Sequence, residues 1–188
     1  MRNTAELRGE ILEAARAEFA QYGLAGARID RIARTAQASK ERLYAHFGDK
    51  ETLFREVFAA DSTEFFRAVQ LRPDAVPEFV GEIYDLAIRR PEHLRMINWA
   101  NLEGFMPGEP LADGQPLHEH GIRAIEEAQA AGYVDPAWQP VDLIAMLFAI
   151  GLTWAHLPHP DAITDDPAVI AQRRAAAVEA AARIITKR

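Results

Sequence analysis

Residues 29–50 read IDRIARTAQASKERLYAHFGDK, and this stretch decides the fold. Ile29, Ile32 and Ala33 fall on one helical face, and Leu43 and Phe47 sit four apart on another. The spacing predicts two short helices and the start of a third. Between the first two, Ala36-Gln37-Ala38-Ser39 is a short connection, and Ser39 is placed to cap the second helix by accepting an orphan backbone N–H. The outward positions carry Arg28, Arg31, Arg34, Lys40, Arg42, Tyr44, His46 and Lys50. A helix pair with a buried inner face and a donor-rich outer face is what reading the DNA major groove requires.

On the N-terminal side, Leu7, Ile11, Leu12, Ala15, Phe19 and Tyr22 recur at helical spacing from Thr4 onward, and Gly23 is a natural stop. This first helix braces the pair. Helix two is expected from about Ala27–Arg28 to Arg34 or Thr35, and helix three over 39–46. Asp49 is a good N-cap for a fourth helix that keeps Leu53, Phe54, Val57, Phe58, Phe65, Phe66 and Val69 apolar and stops before Pro73. About 22 residues at ~1.5 Å rise makes roughly 33 Å, enough to join a small head to a separate body. Beyond Pro73 the pattern predicts helices over 77–90, 92–103, 117–131, 141–157 and 167–186, with a Gly- and Pro-rich loop over 104–116. No stretch alternates with a two-residue period, so no sheet is expected. The expected fold class is all-α with nine helices: a helix-turn-helix head over 1–50, and a helical body over 51–188 that begins with the long fourth helix.

Composition narrows the chemistry. With 188 residues and no cysteine, the chain can bury a substantial core, and disulfides and thiolate metal sites are excluded. The net charge is -7, which argues against a nucleic-acid partner until the chain is divided. Residues 1–60 hold 10 Lys+Arg and 9 Asp+Glu, residues 61–188 hold 11 and 19, and Arg28–Lys50 alone holds 6 and 3. Positive charge is concentrated at the predicted helix pair, the pattern of a chain with one DNA-facing end. Glu and Arg throughout the first twenty residues exclude a secretory leader core, and the apolar run Leu143–His156 is short for a membrane span of ~20 residues. A soluble, cytoplasmic protein is expected. No phosphate-cradling glycine loop, serine elbow or His-Glu-x-x-His is present, so no enzyme is expected. His118-x-His120 and His156-x-x-His159 lack a third ligand nearby, and neither a metal site nor a cofactor is expected.

The ordered marks from Ile11 to Phe58 carry a family resemblance. They are Ala14-Ala15 and Phe19 before Tyr22-Gly23, then Ile32-Ala33, Ser39, Leu43-Tyr44-x-His46-Phe47 and Lys50-Glu51-x-Leu53-Phe54. Together they resemble the DNA-binding domain of the TetR family of transcriptional regulators, over about a quarter of the chain. Two departures stand out. Gln37 sits where the family's turn usually has Gly, so the turn lacks a residue suited to positive φ. Helix two lacks the usual Ser or Thr near Ala27–Arg28, a missing cap worth about 1 kcal/mol, which leaves Arg28 to reach a phosphate. Lys40 and Arg42 lie early in the recognition helix, where side chains meet base edges. Arg42 suits bidentate reading of guanine, and Lys40 a guanine or a phosphate. Tyr44, His46 and Lys50 resemble the family's backbone-clamping positions, which set register without reading sequence.

A head of this kind reads a two-fold site, so a homodimer on a palindromic double-stranded operator is implied. The last two helices are the candidate interface: Leu143–Ala155 is apolar all round, and Pro167–Thr186 is alanine-rich with Ile170, Ala177, Ala181 and Ile184 in line. The resemblance implies that this pair packs on its mate as a four-helix bundle. Phe79, Tyr84, Met96, Trp99, Phe105 and Phe148 are candidate lining residues of a mostly apolar pocket for a small-molecule effector. The expected function is a ligand-responsive transcriptional regulator, a repressor. The alternative is a small-molecule-binding helical protein whose head no longer reads DNA.

Overall fold

The computed structural model describes residues 4–105, 111–112, 115–157 and 164–187. Among them are nine helices: α1 (Thr4–Gly26), α2 (Ile29–Thr35), α3 (Lys40–Phe47), α4 (Lys50–Ala68), α5 (Val76–Arg89), α6 (Pro91–Leu102), α7 (Leu117–Ala130), α8 (Pro140–His156) and α9 (Pro167–Ile185). The fold is all-α. The only extended pairing among the described residues is a two-residue antiparallel ladder, β1 (Leu111–Ala112) with β2 (Gln115–Pro116). Helix α4 has 19 residues and ends at Ala68, short of the expected stop before Pro73. Proline at 73 disfavours helical geometry at Arg72, and Val69 and Leu71 leave the helix to enter an apolar core. No helix of the described residues is long and apolar enough to cross a membrane. His159 lies outside the described residues.

The chain divides into two compact units, Met1–Glu64 with Glu92–Pro110, and Phe65–Pro91 with Leu111–Arg188. The first holds α1, α2, α3, most of α4 and nearly all of α6. Its core gathers Leu7, Ile11, Ala15 and Phe19 of α1, Ile32 and Ala33 of α2, Leu43 and Phe47 of α3, Leu53, Phe54 and Val57 of α4, and Met96 and Ala100 of α6. Phe54 is the hub, with its ring edge-to-face on Phe19 at 5.0 Å and on Phe105 at 4.9 Å. Such pairs add ~0.5–1.5 kcal/mol each beyond burial alone. A polar knot runs through this core. Asp61 of α4 bonds through Oδ2 to Nδ1 of His93 on α6, both almost fully buried. Arg16 of α1 brings its Nε to 3.2 Å from Asp61 Oδ1. Three helices therefore share one buried charge group.

In the second unit α5 packs against both α8 and α9, which also touch each other. A Cβ on Gly151 of α8 would sit 2.7 Å from Ile83 Cγ2 and 3.1 Å from the Val80 carbonyl oxygen, so glycine there is what lets α8 approach α5. Arg174 of α9 bonds Asp85 of α5 at 2.8 Å. The α7–α8 connection is held by Gln129 Nε2 donating to the carbonyls of Trp138 and Asp135, at 2.8 and 3.2 Å. Trp138 Nε1 and the Asp135 amide donate in turn to the carbonyls of Ile184 and Ile185 in α9. Helix α8 buries Leu143, Leu147 and Gly151 on one side only. Its opposite flank leaves Val141 60% exposed, with Ala145, Ala149 and Thr153 also exposed. On α9, Ala177 and Ala181 are buried while Ala171, Ala175 and Ala176 face outward.

Candidate nucleic-acid interface

The interface is built on α2 and α3. Ser39 caps α3 with its hydroxyl oxygen accepting the Arg42 amide at 3.3 Å. Asp49 caps α4 by accepting the Thr52 amide at 2.7 Å, and that bond holds its carboxyl below the usual carboxylate range. The turn between α2 and α3 puts Gln37 at φ 49, the left-handed conformation that glycine usually supplies. The missing cap of α2 is replaced from outside. Arg28, the N-cap residue, offers no side-chain cap, but the buried carboxylate of Glu18 on α1 accepts its backbone N–H at 2.8 Å. A negative charge at the helix start also suits the helix dipole.

With Leu43 and Phe47 turned inward, α3 leaves Lys40, Arg42 and Tyr44 exposed along its outer face. Ser39 and Arg28 are exposed as well, while His46 is half-buried beside Phe47, with ring centroids 6.0 Å apart. The cations of this stretch are not equivalent. Lys40 is bonded to Asp30 of α2, which raises its pKa. Arg31 departs from the expectation of an outward charge: its Nε donates to Glu18 at 2.7 Å and its guanidinium lies 4.1 Å over the Tyr22 ring. Lys50 departs too. Its half-buried side chain carries Nζ to the carbonyl oxygens of Ala25 and Ala27, at 3.3 and 3.2 Å, so two of its three hydrogens are engaged within the protein. Arg28, Arg34 and Arg42 form no ion pair with any described residue. The cations of the outer face that no described residue pairs are thus arginines, whose planar fork suits guanine and phosphate.

The six candidate pocket residues are not brought together in one unit. Met96, fully buried, and Phe105 belong to the core of the first unit, where the half-buried Trp99 lies against Gly23. Phe79, Tyr84 and Phe148 belong to the second unit. There Phe148 stands edge-on to Phe79 at 5.4 Å and to Phe66 at 6.0 Å, and Tyr84 edge-on to Trp154 at 5.5 Å. Burial raises the Tyr84 pKa. The apolar spacing of α6 gave no sign of which core it serves. Three residues of the first unit escaped the sequence reading: Glu18, Asp61 and Glu103. Each acts on partners 10 to 79 positions away, so no local spacing signals them.

A basic two-helix reader braced by a first helix, followed by a helical second unit, defines a helix-turn-helix DNA-binding protein. The description "Bacterial regulatory proteins, tetR family" matches residues 11–57, and "Tetracyclin repressor-like, C-terminal domain" matches residues 75–183. The HTH-type transcriptional repressor SCO4008 of Streptomyces coelicolor is 34% identical over 151 residues, covering 79% of this chain and 77% of its own. The HTH-type transcriptional repressor AcnR of Corynebacterium glutamicum is 39% identical over 62 residues, a third of each chain. Among solved structures, the transcriptional regulator SCO4942 of S. coelicolor superposes with a TM-score of 0.81 at 38% identity, over 94% of this chain and 97% of its own. A TetR family regulator from Marinobacter aquaeolei shares the fold, with a TM-score of 0.73 at 20% identity and coverage of 94% and 95%. The chain belongs to the TetR family of transcriptional regulators and is a DNA-binding regulator.

Proposed function

We propose that the chain is a homodimeric repressor of a palindromic operator, released by a small-molecule effector. Residues 1–50 form the reading head, and residues 51–188 carry dimerisation and effector binding. The observation that carries this reading is the outer face of α3, which offers Arg42 with no ion pair to any described residue and Lys40 held beside it by Asp30. Arg42 reads a guanine edge, and Lys40 a guanine or a phosphate. Arg28, Ser39, Tyr44 and His46 hold the DNA backbone. The two relatives named as repressors support the sign of regulation. Localisation in the cytoplasm follows from a DNA partner.

Two copies join through the uncovered flanks of α8 and α9, where Val141, Ala145, Ala149, Ala171 and Ala175 leave small side chains outward for close helix approach. The effector is mostly apolar and is met by Phe79, Tyr84 and Phe148 of the second unit. It must bind the non-reading state more tightly for release to follow. An effector that bound without changing operator affinity would overturn this part.

The direct test is selection from a random-sequence duplex pool, followed by binding across a range of salt. A palindromic site should emerge, with affinity falling steeply as salt rises. Arg42→Ala should cost about 1–3 kcal/mol and relax preference at one base pair of each half-site. A pool that shows no enrichment refutes DNA reading. The alternative, a head that no longer reads DNA, could draw only on Gln37 in the turn and on the missing side-chain cap of α2. Gln37 adopts the left-handed turn and Glu18 caps α2, which leaves that reading without a specific observation in its favour.

A further inference from the structure

Helix α1 breaks at Gly23, where φ is 67 and ψ is -177, and then makes one more helical turn before α2 begins. A side chain at Gly23 would collide with the Trp99 ring of α6, whose atoms lie 2.8 and 2.9 Å from an added Cβ. The single turn after it is closed within the backbone by Ala27 N–H to the Gly23 carbonyl at 3.2 Å. One turn of helix cannot hold itself, because nucleation fixes several dihedrals for one hydrogen bond. Several of its remaining polar groups are met from outside, the Gly26 carbonyl by Arg31 at 3.2 Å. The Glu103 carboxylate, just past the end of α6, accepts the amides of Leu24 and Ala25 at 2.9 and 3.1 Å, one on each oxygen. Lys50, at the start of α4, donates through Nζ to the carbonyls of Ala25 and Ala27. An anion thus sits on the N–H end of the turn and a cation on its C=O end, each the favourable sign.

We propose that Glu103 and Lys50 are positioning residues for DNA reading, which together clamp the 24–27 turn and so set where α2 and α3 stand. Lys50 acts on the protein's own backbone, and its contribution to operator affinity comes through α3. The proposal rests on the DNA-reading function above. It assigns Lys50 a role different from the phosphate clamp that its place in the family pattern implies.

The two roles separate by measurement. Lys50→Met keeps the aliphatic stem and removes the donors. If Lys50 is a positioning residue, this change should lower affinity for the selected duplex roughly tenfold, the scale of one weakened hydrogen-bonded base pairing. The slope of log affinity against log salt should stay unchanged. Removing a phosphate-binding cation from both heads of a dimer would instead lower that slope by about 1.8. Glu103→Ala should weaken binding similarly, although removing an anion would strengthen a purely electrostatic complex. Hydrogen exchange of the DNA-free full-length dimer supplies a readout that needs no operator. The amides of residues 24 and 25 should exchange faster in Glu103→Ala, while those of residues 14–19 keep their protection and report an intact fold. Lys50→Arg, which keeps the donors, should restore most of the affinity. A reduced salt slope in Lys50→Met with unchanged exchange over 24–28 overturns the proposal, as does a Glu103→Ala variant with wild-type exchange and affinity. If the pool selects no duplex, DNA reading fails and the exchange data alone decide whether the clamp exists.

Discussion

Gln37 carries a local cost that the fold imposes. A left-handed conformation costs an L-residue roughly 1–2 kcal/mol, and glycine avoids most of it at some expense in unfolded-chain entropy. Gln37→Gly should therefore raise the melting temperature by about 2–4 °C, as for ~1 kcal/mol in a chain of this size, read by circular dichroism. A lower melting temperature would mean that the glutamine's side-chain contacts outweigh the strain. Asp49 makes a pH-dependent contribution of known sign. Its folded pKa is depressed by the Thr52 amide, so its stabilisation is complete above the unfolded carboxyl value near 3.8 and is lost as pH falls through the lower folded value. Asp49→Asn keeps an acceptor at the cap and removes the titration, so its acid unfolding curve should be flatter than wild type below about pH 4. At this scale the caps were legible. Ser39 and Asp49 announce themselves by type and place, because a cap acts on amides two or three residues away. Glu18 did not, because it caps across space.

Between elements, packing tolerances and buried charge dominate. Gly151→Val forces a side chain into the space of Ile83 and should destabilise by about 1–3 kcal/mol, measured by denaturant unfolding. Asp61→Ala leaves His93 and Arg16 without their shared partner and should cost about 3 kcal/mol, more than most single changes. If Asp61→Ala unfolded at wild-type denaturant, the knot would be energetically neutral. Helix positions are readable from the 3.6-residue period and from Gly and Pro punctuation, which is why the ends of seven helices lie close to expectation, while α1 kinks at Gly23 but continues to Gly26 and α4 stops early at Ala68. Which helices pack together was not readable. Met96 and Trp99 present an apolar face whichever core receives it, and only the tertiary structure assigns α6 to the first unit. Lys50 shows the same limit: its place in the motif is plain, but the carbonyls it binds lie 23 and 25 residues earlier.

A head of this kind meets a two-fold operator only in pairs. A carboxylate placed on the exposed flank of α8, as in Ala149→Glu, should leave the monomer folded, because that position faces solvent in the single chain. If two copies pair through this flank as proposed, it should convert the dimer to monomer in sedimentation velocity and abolish tight operator binding together with it. A variant that stays dimeric would move the interface elsewhere. The uneven charge of the chain adds a second expectation. Residues 61–188 hold 11 Lys+Arg against 19 Asp+Glu, a balance of -8, so this acidic remainder disfavours indiscriminate adsorption to DNA and leaves contact to the head. The uncovered strip of valine and alanine on α8 and α9 also bears on how the regulator counts its own copies. If two copies pair there as proposed, the dimer population where chains are scarce grows as the square of their number, so halving the dose would cut operator occupancy about fourfold by mass action. Small changes in synthesis or turnover would then be amplified into a sharp decision at the promoter before any effector is present.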